Sequence, residues 1–264
     1  MSEDEGMSAF LDLHRPGDPL LMPNPWDLGS ARLLQSLGFQ ALATTSSGFA
    51  ATLGRLDGRV TRDEALGHAA AVAGAVGVPV SADLENGFAD DPEAVAEAVR
   101  LGREIGLAGC SIEDWDGAAT YDAGLAAERV HAAVEAAGDE LVVTARADGL
   151  LHGGTLHDVI DRLQRFQEAG APVLYAPGLA TEEQVAAVLG AVDRPVTVLA
   201  RAGLPPMVRL AELGVARISV GGAFAYAAYA GMVDAARELL AAGTYGYAAP
   251  AAEASRLIGE AFPR

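Results

Sequence analysis

Short apolar, β-branched stretches alternate with amphipathic helical stretches along this 264-residue chain. That alternation constrains the fold more than any other feature of the sequence. Eight strands are predicted: Leu20–Met22, Ala41–Thr44, Pro79–Ala82, Gly109–Ile112, Leu141–Thr144, Val173–Tyr175, Pro195–Val198 and Ala216–Ser219. Between them run helical patterns such as DPEAVAEAVRLGREIG, GLAAERVHAAVEAAG, TLHDVIDRLQRFQEAG and ATEEQVAAVLGAV. Their ends carry the expected signals. Asp91 before Pro92 reads as an N-cap followed by a first-turn proline. Thr181 precedes Glu182 and Glu183, whose charges favour a helix start. Gly106, Gly138 and Gly170 fall at helix ends, where a left-handed residue is wanted.

Consecutive β–α units imply parallel strands joined by right-handed crossovers. Eight of them favour an α/β fold closed into a (β/α)8 TIM barrel over an open doubly wound sheet. No G-x-G-x-x-G turn follows the first strand, which also argues against the open sheet. No interior linker or low-complexity segment interrupts the pattern. One domain is therefore predicted over residues 1–264, with 244–264 an extra C-terminal helix (PAAEASRLIGEAF) that packs on a neighbouring subunit.

Composition narrows the function classes. With 18 basic and 36 acidic residues the net charge is -18, so the chain is expected to repel nucleic acid and anionic membrane surfaces. The single cysteine, Cys110, permits no intramolecular disulfide and no thiolate metal cluster, which fits a reducing cytoplasm. The start, MSEDEGMSAFLDLHRPGDP, is acidic and lacks the apolar core of a signal peptide. The longest apolar run, GAFAYAAYAGMV, is broken by glycine, falls short of the ~20 residues of a membrane span, and reads as a small-residue packing helix.

The chemistry is expected at the C-terminal rim of the strands, where barrel active sites sit. Asp83 and Glu85 follow the third strand in VPVSADLENG; Glu113 and Asp114 follow the fourth in CSIEDWDG. Carboxylates leaving parallel strands converge on one rim, where hard divalent cations are usually held. The other strand exits offer Asn24-Pro25-Trp26-Asp27, then Thr45-Ser46-Ser47-Gly48 with Asp57 further on, then Arg146 and Asp148, and finally Arg201. Cys110 reads as a small buried hydrophobe. The five histidines, His14, His68, His131, His152 and His157, read as structural or surface residues, because none pairs with another at metal-ligand spacing.

Several segments, in order, resemble the isocitrate lyase/phosphoenolpyruvate mutase superfamily: NPWDLGSARLLQSLGF, TTSSGFAATLGRLDG, SADLENGF, GCSIEDWDG, TARADGLL, LYAPGL and LGVARISVGG. The resemblance spans about Pro23 to Gly222. It implies a (β/α)8 barrel, Mg²⁺ dependence (with Mn²⁺ able to substitute), and homo-oligomers, dimers or tetramers, that swap a C-terminal helix. It also implies cleavage or formation of C–C or P–C bonds beside a carboxylate through a metal-stabilised enolate. By the same resemblance Asp83, Glu85 and Glu113 form the metal shell, Glu85 standing where aspartate is usual. Asp57 matches the aspartate near the metal. Thr45, Ser46 and Ser47 match the loop that grips the substrate carboxylate, with Trp26 beside it, and Arg146 matches the arginine that stabilises the enolate.

The chain departs from the family in the half of the site that handles the leaving group. WDGAATYDAGLAAERV replaces the lyase loop and holds no cysteine, lysine or histidine. Ala176-Pro177 replaces a histidine or glutamate after strand six, and Thr197 corresponds to a common asparagine. Tyr121, Asp122 and Asp116 remain as proton-transfer candidates, with Tyr121 foremost. The expected function is Mg²⁺-dependent cleavage or decarboxylation of a small 2-oxo or 2-hydroxy carboxylate. The alternatives are a phosphonate P–C mutase or hydrolase, and a non-catalytic carboxylate-binding barrel.

Overall fold

The computed structural model describes residues 6–262. Eight parallel strands are present: β1 (Leu20–Met22), β2 (Leu42–Ala43), β3 (Val80–Asp83), β4 (Gly109–Glu113), β5 (Val142–Arg146), β6 (Val173–Tyr175), β7 (Val196–Leu199) and β8 (Arg217–Ser219). They run in the order β1-β8-β7-β6-β5-β4-β3-β2. At the seam between β1 and β2 the Ala43 amide donates to Pro23 O at 3.1 Å. Asn24 closes the same seam: its Nδ2 donates to Thr44 O at 3.0 Å, while its Oδ1 accepts from Ser219 Oγ at 2.8 Å and from the Gly221 amide at 2.9 Å. The sheet is thus a nearly closed barrel.

The helices are α1 (Gly6–Leu11), α2 (Leu28–Ser36), α3 (Ser46–Thr52), α4 (Arg62–Ala75), α5 (Pro92–Glu104), α6 (Ala123–Ala137), α7 (Leu156–Glu168), α8 (Glu182–Leu189), α9 (Met207–Leu213), α10 (Ala223–Ala242) and α11 (Ala248–Ala261). The predicted ends hold. Asp91 caps α5 ahead of Pro92, and Thr181 caps α8 in a reciprocal box with Gln184. Gly106, Gly138 and Gly170 take φ of 79°, 53° and 100°.

Side chains alternate across each strand. Val80, Ala82, Cys110, Ile112 and Val143 face outward and pack under α4, α5 and α6. Ala145, Leu174, Val196, Val198 and Ile218 continue that shell under α7 and α8. The free thiol of Cys110 is part of this core, and burial pushes its pKa up to about 12.

A third apolar group plugs the bottom of the barrel. Phe10 from α1 packs with Leu20, Val142 and Val173, residues at the beginnings of their strands. Gly109 leaves it room, for a Cβ there would lie 2.8 Å from Phe10 Cε1. Beside it His14 is buried. Its Nδ1 lies 3.0 Å from Phe10 O and its Nε2 lies 3.1 Å from Arg217 Nη1. A carbonyl and a guanidinium fix the tautomer: Nδ1 carries the proton and Nε2 accepts.

α10 and α11 extend past the eighth unit. α11 touches α2 of its own chain through Phe262, which lies near Gly29 and under the Arg32 guanidinium at 6.0 Å. No α11 residue is buried, and Tyr226, Met232 and Leu240 of α10 are exposed. Among the described residues no helix is long and apolar enough to cross a membrane.

Candidate active site

β5 runs two residues beyond its predicted end, so Arg146 closes the strand and projects into the barrel mouth. Its guanidinium is the hub of the site. Nη1 meets Asp83 Oδ1 at 3.1 Å, and Nη2 meets Glu113 Oε2 at 2.9 Å and Asp148 Oδ2 at 2.7 Å. Nε reaches Asp148 Oδ1 at 3.2 Å, making that pair bidentate. Burial opposes the arginine's charge, but Asp148, Glu113 and Asp83 outweigh it and hold its pKa well above the ordinary value.

Asp83 and Glu113 likewise end their strands rather than follow them. Asp83 Oδ2 accepts from the Ser46 amide at 3.1 Å, and its own amide donates to Thr44 Oγ1 at 2.9 Å. Glu85 stands in the turn after β3 with φ of 49°, and Phe88 follows with φ of 60°. Such conformations cost non-glycine residues of order 1–3 kcal/mol and persist only where surroundings impose them. Here the Glu113 amide donates to Glu85 O at 2.9 Å. Arg129, buried on α6, donates to Asn86 O and, at 2.9 Å, to Ala89 O.

Asp57, Asp83, Glu85, Glu113 and Asp148 line one cavity of about 940 Å³ with Arg146. The acids are crowded. Burial, then Asp83 and Asp57, push the Glu85 carboxyl up to about 7. Burial raises Glu113 well above the carboxylate range, with Arg146 opposing and Asp148, Asp83 and Glu85 adding to it. Asp57, at the open mouth, is raised by desolvation and by Asp83 against a hydrogen bond from Ser46.

Among the described residues no three His, Cys, Asp or Glu side chains form a ready-made metal cage. Mg²⁺ does not need one, since it is commonly held by one or two carboxylates and several waters. A rim with excess oxygen ligands and raised carboxyl pKa values fits such a hydrated ion. Asp83, Glu85 and Glu113 are the residues that would hold it, with Asp57 near.

Thr45, Ser46 and Ser47 also line the cavity. They are not the loop their composition suggests. Thr45 is the N-cap of α3, accepting from the Gly48 amide at 3.3 Å, and its Oγ1 lies 3.3 Å from Ser47 Oγ. Trp26 does not reach the cavity; it packs behind Gly48.

Of the proton-transfer candidates, Asp116 lines the cavity, whereas Tyr121 and Asp122 do not. Tyr121 is buried and does not line the cavity. Its hydroxyl donates to Asp90 Oδ1 at 2.6 Å and accepts from Asn86 Nδ2 at 2.8 Å, and the Arg129 guanidinium lies 3.9 Å over its ring. It buttresses the β3 exit loop. Asp122 caps α6, and Asp116 accepts from the amides of Ala118 and Ala119 at 2.7 and 2.6 Å, which hold its pKa low. Short acids in a loop cap their own backbone first. Asp114 points away from the mouth, pairing with Arg162 at 3.1 Å and accepting from the Asp148 amide at 2.8 Å.

His152 was expected to be structural or superficial, yet it lines the cavity and stacks on Trp115 at 3.5 Å with rings 2° from parallel. It is the one histidine of the described lining. No local signal marks it, because the two rings come from the exits of different strands.

Comparison with known proteins agrees with this geometry. The family model for phosphoenolpyruvate phosphomutase matches residues 10–240. A solved structure from Burkholderia cenocepacia J2315, described only at the level of lyase or mutase, is 47% identical with a TM-score of 0.89, over 92% of this chain and 91% of that one. The oxaloacetate decarboxylase of Pseudomonas fluorescens is 31% identical over 231 residues, 81% of this chain and 77% of the relative. The 2-methylisocitrate lyase of Escherichia coli is 29% identical over 233 residues, 80% and 78% of the two chains. These relatives are lyases, decarboxylases and mutases, and the chain belongs to the same phosphoenolpyruvate mutase/isocitrate lyase superfamily of enzymes.

Proposed function

We propose that this protein is a Mg²⁺-dependent lyase or decarboxylase that cleaves a C–C bond of a small 2-oxo or 2-hydroxy carboxylate to leave an enolate. The observation that carries the reading is the convergence of Asp83 and Glu113 on Arg146 at the strand exits, with Glu85 in the same cavity. When bound there, a divalent ion supplies Lewis-acid stabilisation of oxyanion charge. Names of two relatives support the substrate class, an oxaloacetate decarboxylase and a 2-methylisocitrate lyase.

The chain's own residues divide the work. Arg146 is fixed by three carboxylates and presents a permanently charged donor beside the developing oxyanion. The hydroxyls of Ser46 and Ser47 face the same cavity and can orient the substrate carboxylate. With Tyr121 and Asp122 off the cavity and the Asp116 carboxylate on its wall taken up by two loop amides, proton transfer falls to the His152 imidazole at the mouth, the usual side chain for that task. His152→Asn should lower kcat while leaving affinity for oxalate unchanged; unchanged turnover removes His152 from the reaction.

Oxalate has the shape and charge of pyruvate enolate, so calorimetric titration of oxalate with and without Mg²⁺ tests the reading. Binding that requires Mg²⁺ is expected. No binding in either condition refutes the metal–enolate assignment and favours a carboxylate-binding barrel without catalysis.

A further inference from the structure

The interiors of (β/α)8 barrels are usually filled by bulky branched side chains. This one is polar. Ser81, Thr144, Thr197 and Ser219 face the axis, together with Tyr175 and Arg217, all of them buried. Thr144 Oγ1, Thr197 Oγ1 and Arg217 Nε have no hydrogen-bond partner. Arg217 is the outlier. It is 2% exposed, its described side-chain partner is the neutral His14 at 3.1 Å below it, and no described carboxylate pairs with it. Yet it lines the same cavity as the acidic rim above.

The other buried arginines are answered. Arg146 meets three carboxylates, Arg162 meets Asp114 at 3.1 Å and Asp158 at 3.0 Å, and Arg129 donates to three backbone carbonyls. A buried cation without a counterion is strongly destabilising, so such a group in a cavity calls for an anion. One guanidinium in a barrel interior whose other polar groups are neutral hydroxyls suits a monoanion. A phosphoryl dianion would want a second cation on the floor, whereas Arg146, whose charge reaches Arg217, is held at the rim by three carboxylates.

We propose that Arg217 forms a second anion subsite on the barrel floor that takes the far carboxylate of a diacid whose reacting end lies at the acidic rim. This rests on the lyase reading and narrows its substrates to 2-oxo or 2-hydroxy diacids. The rim with Asp83, Glu85 and Glu113 repels a second carboxylate, while the floor attracts it, so the two ends of the cavity sort the two ends of the molecule.

The test is calorimetry on the Mg²⁺-loaded protein with oxalate, then with 2-oxo diacids of increasing chain length, each against the 2-oxo monoacid of the same length. At one length the diacid should bind on the order of 10- to 100-fold tighter, the range of a charge-assisted hydrogen-bonded pair. Arg217→Met should erase that preference and leave oxalate binding intact; Arg217→Lys should keep part of it. Should Arg217→Met not fold, Arg217→Gln, whose amide can still donate to His14, should likewise lose the diacid preference and keep oxalate binding. A preference surviving in Arg217→Met, or absent from the wild type at every length, overturns the proposal. Failure of oxalate itself to bind the wild type overturns the lyase reading instead. A formate titration without Mg²⁺ separates the two sources of carboxylate: Arg217-dependent formate binding without a diacid preference overturns the substrate assignment and leaves a free-anion site.

Discussion

His14 makes the stability of the barrel pH-dependent in a way one substitution isolates. Its imidazole is buried, donates through Nδ1 to Phe10 O and accepts at Nε2 from Arg217. Burial, then the Arg217 charge, lower its pKa from 6.5 to about 3. A proton on Nε2 would face a guanidinium N–H. Below pH 6.5 the unfolded chain therefore binds a proton that the folded chain refuses, and stability falls as pH drops toward the folded pKa. The slope is about 1.4 kcal/mol per pH unit. Between pH 7.5 and pH 5 the loss from this residue is about 2 kcal/mol, set by the unfolded pKa because pH 5 still lies above the folded one. Glutamine at this position can donate to Phe10 O and accept from Arg217 without titrating. Urea unfolding of wild type and His14→Gln at both pH values gives a double difference in which other groups cancel. The variant should lose about 2 kcal/mol less than the wild type. Equal losses would refute the buried neutral imidazole.

Other consequences are as direct. Asp83→Ala should abolish Mg²⁺-dependent oxalate binding with the circular dichroism spectrum unchanged; retained binding sinks the metal assignment. Tyr121→Phe should cost about 1–3 kcal/mol, because Asp90 and Asn86 lose a buried partner, yet leave oxalate affinity in place; lost affinity would return Tyr121 to the site. The exposed apolar side chains of α10, with Leu240 88% exposed, support a homo-oligomer, and Leu240→Glu should shift light scattering toward the monomer. A wild type that already scatters as a monomer would end that proposal.

The fold was legible because strand and helix periods differ and the outward strand faces are apolar throughout. The strand ends were not. Prediction ended β3, β4 and β5 at Ala82, Ile112 and Thr144, which put Asp83, Glu113 and Arg146 in loops, whereas the inward faces of these strands are polar to their tips. α3 escaped for a related reason: TTSSGFAAT has no amphipathic repeat, although Thr45 has the character of an N-cap. The acids and Arg146 were found because adjacent strand exits must converge. Asp116 lines the cavity but, like Asp122, caps its own backbone, and the Tyr121 hydroxyl is held off the cavity by Asp90 and Asn86. The Arg217–His14 contact joins positions 203 residues apart, a separation that no local pattern bridges.

Below Arg217 the bottom of the barrel is closed in part by residues from outside the β–α repeat. Phe10 and His14 come from the lead that precedes β1. The eight repeats alone would form an open-ended tube, and this short lead turns the tube into a blind pocket. Protein in which this segment is displaced would keep the rim chemistry but let water enter from below, so the integrity of the stretch from Phe10 to His14 governs how dry the reacting end can become.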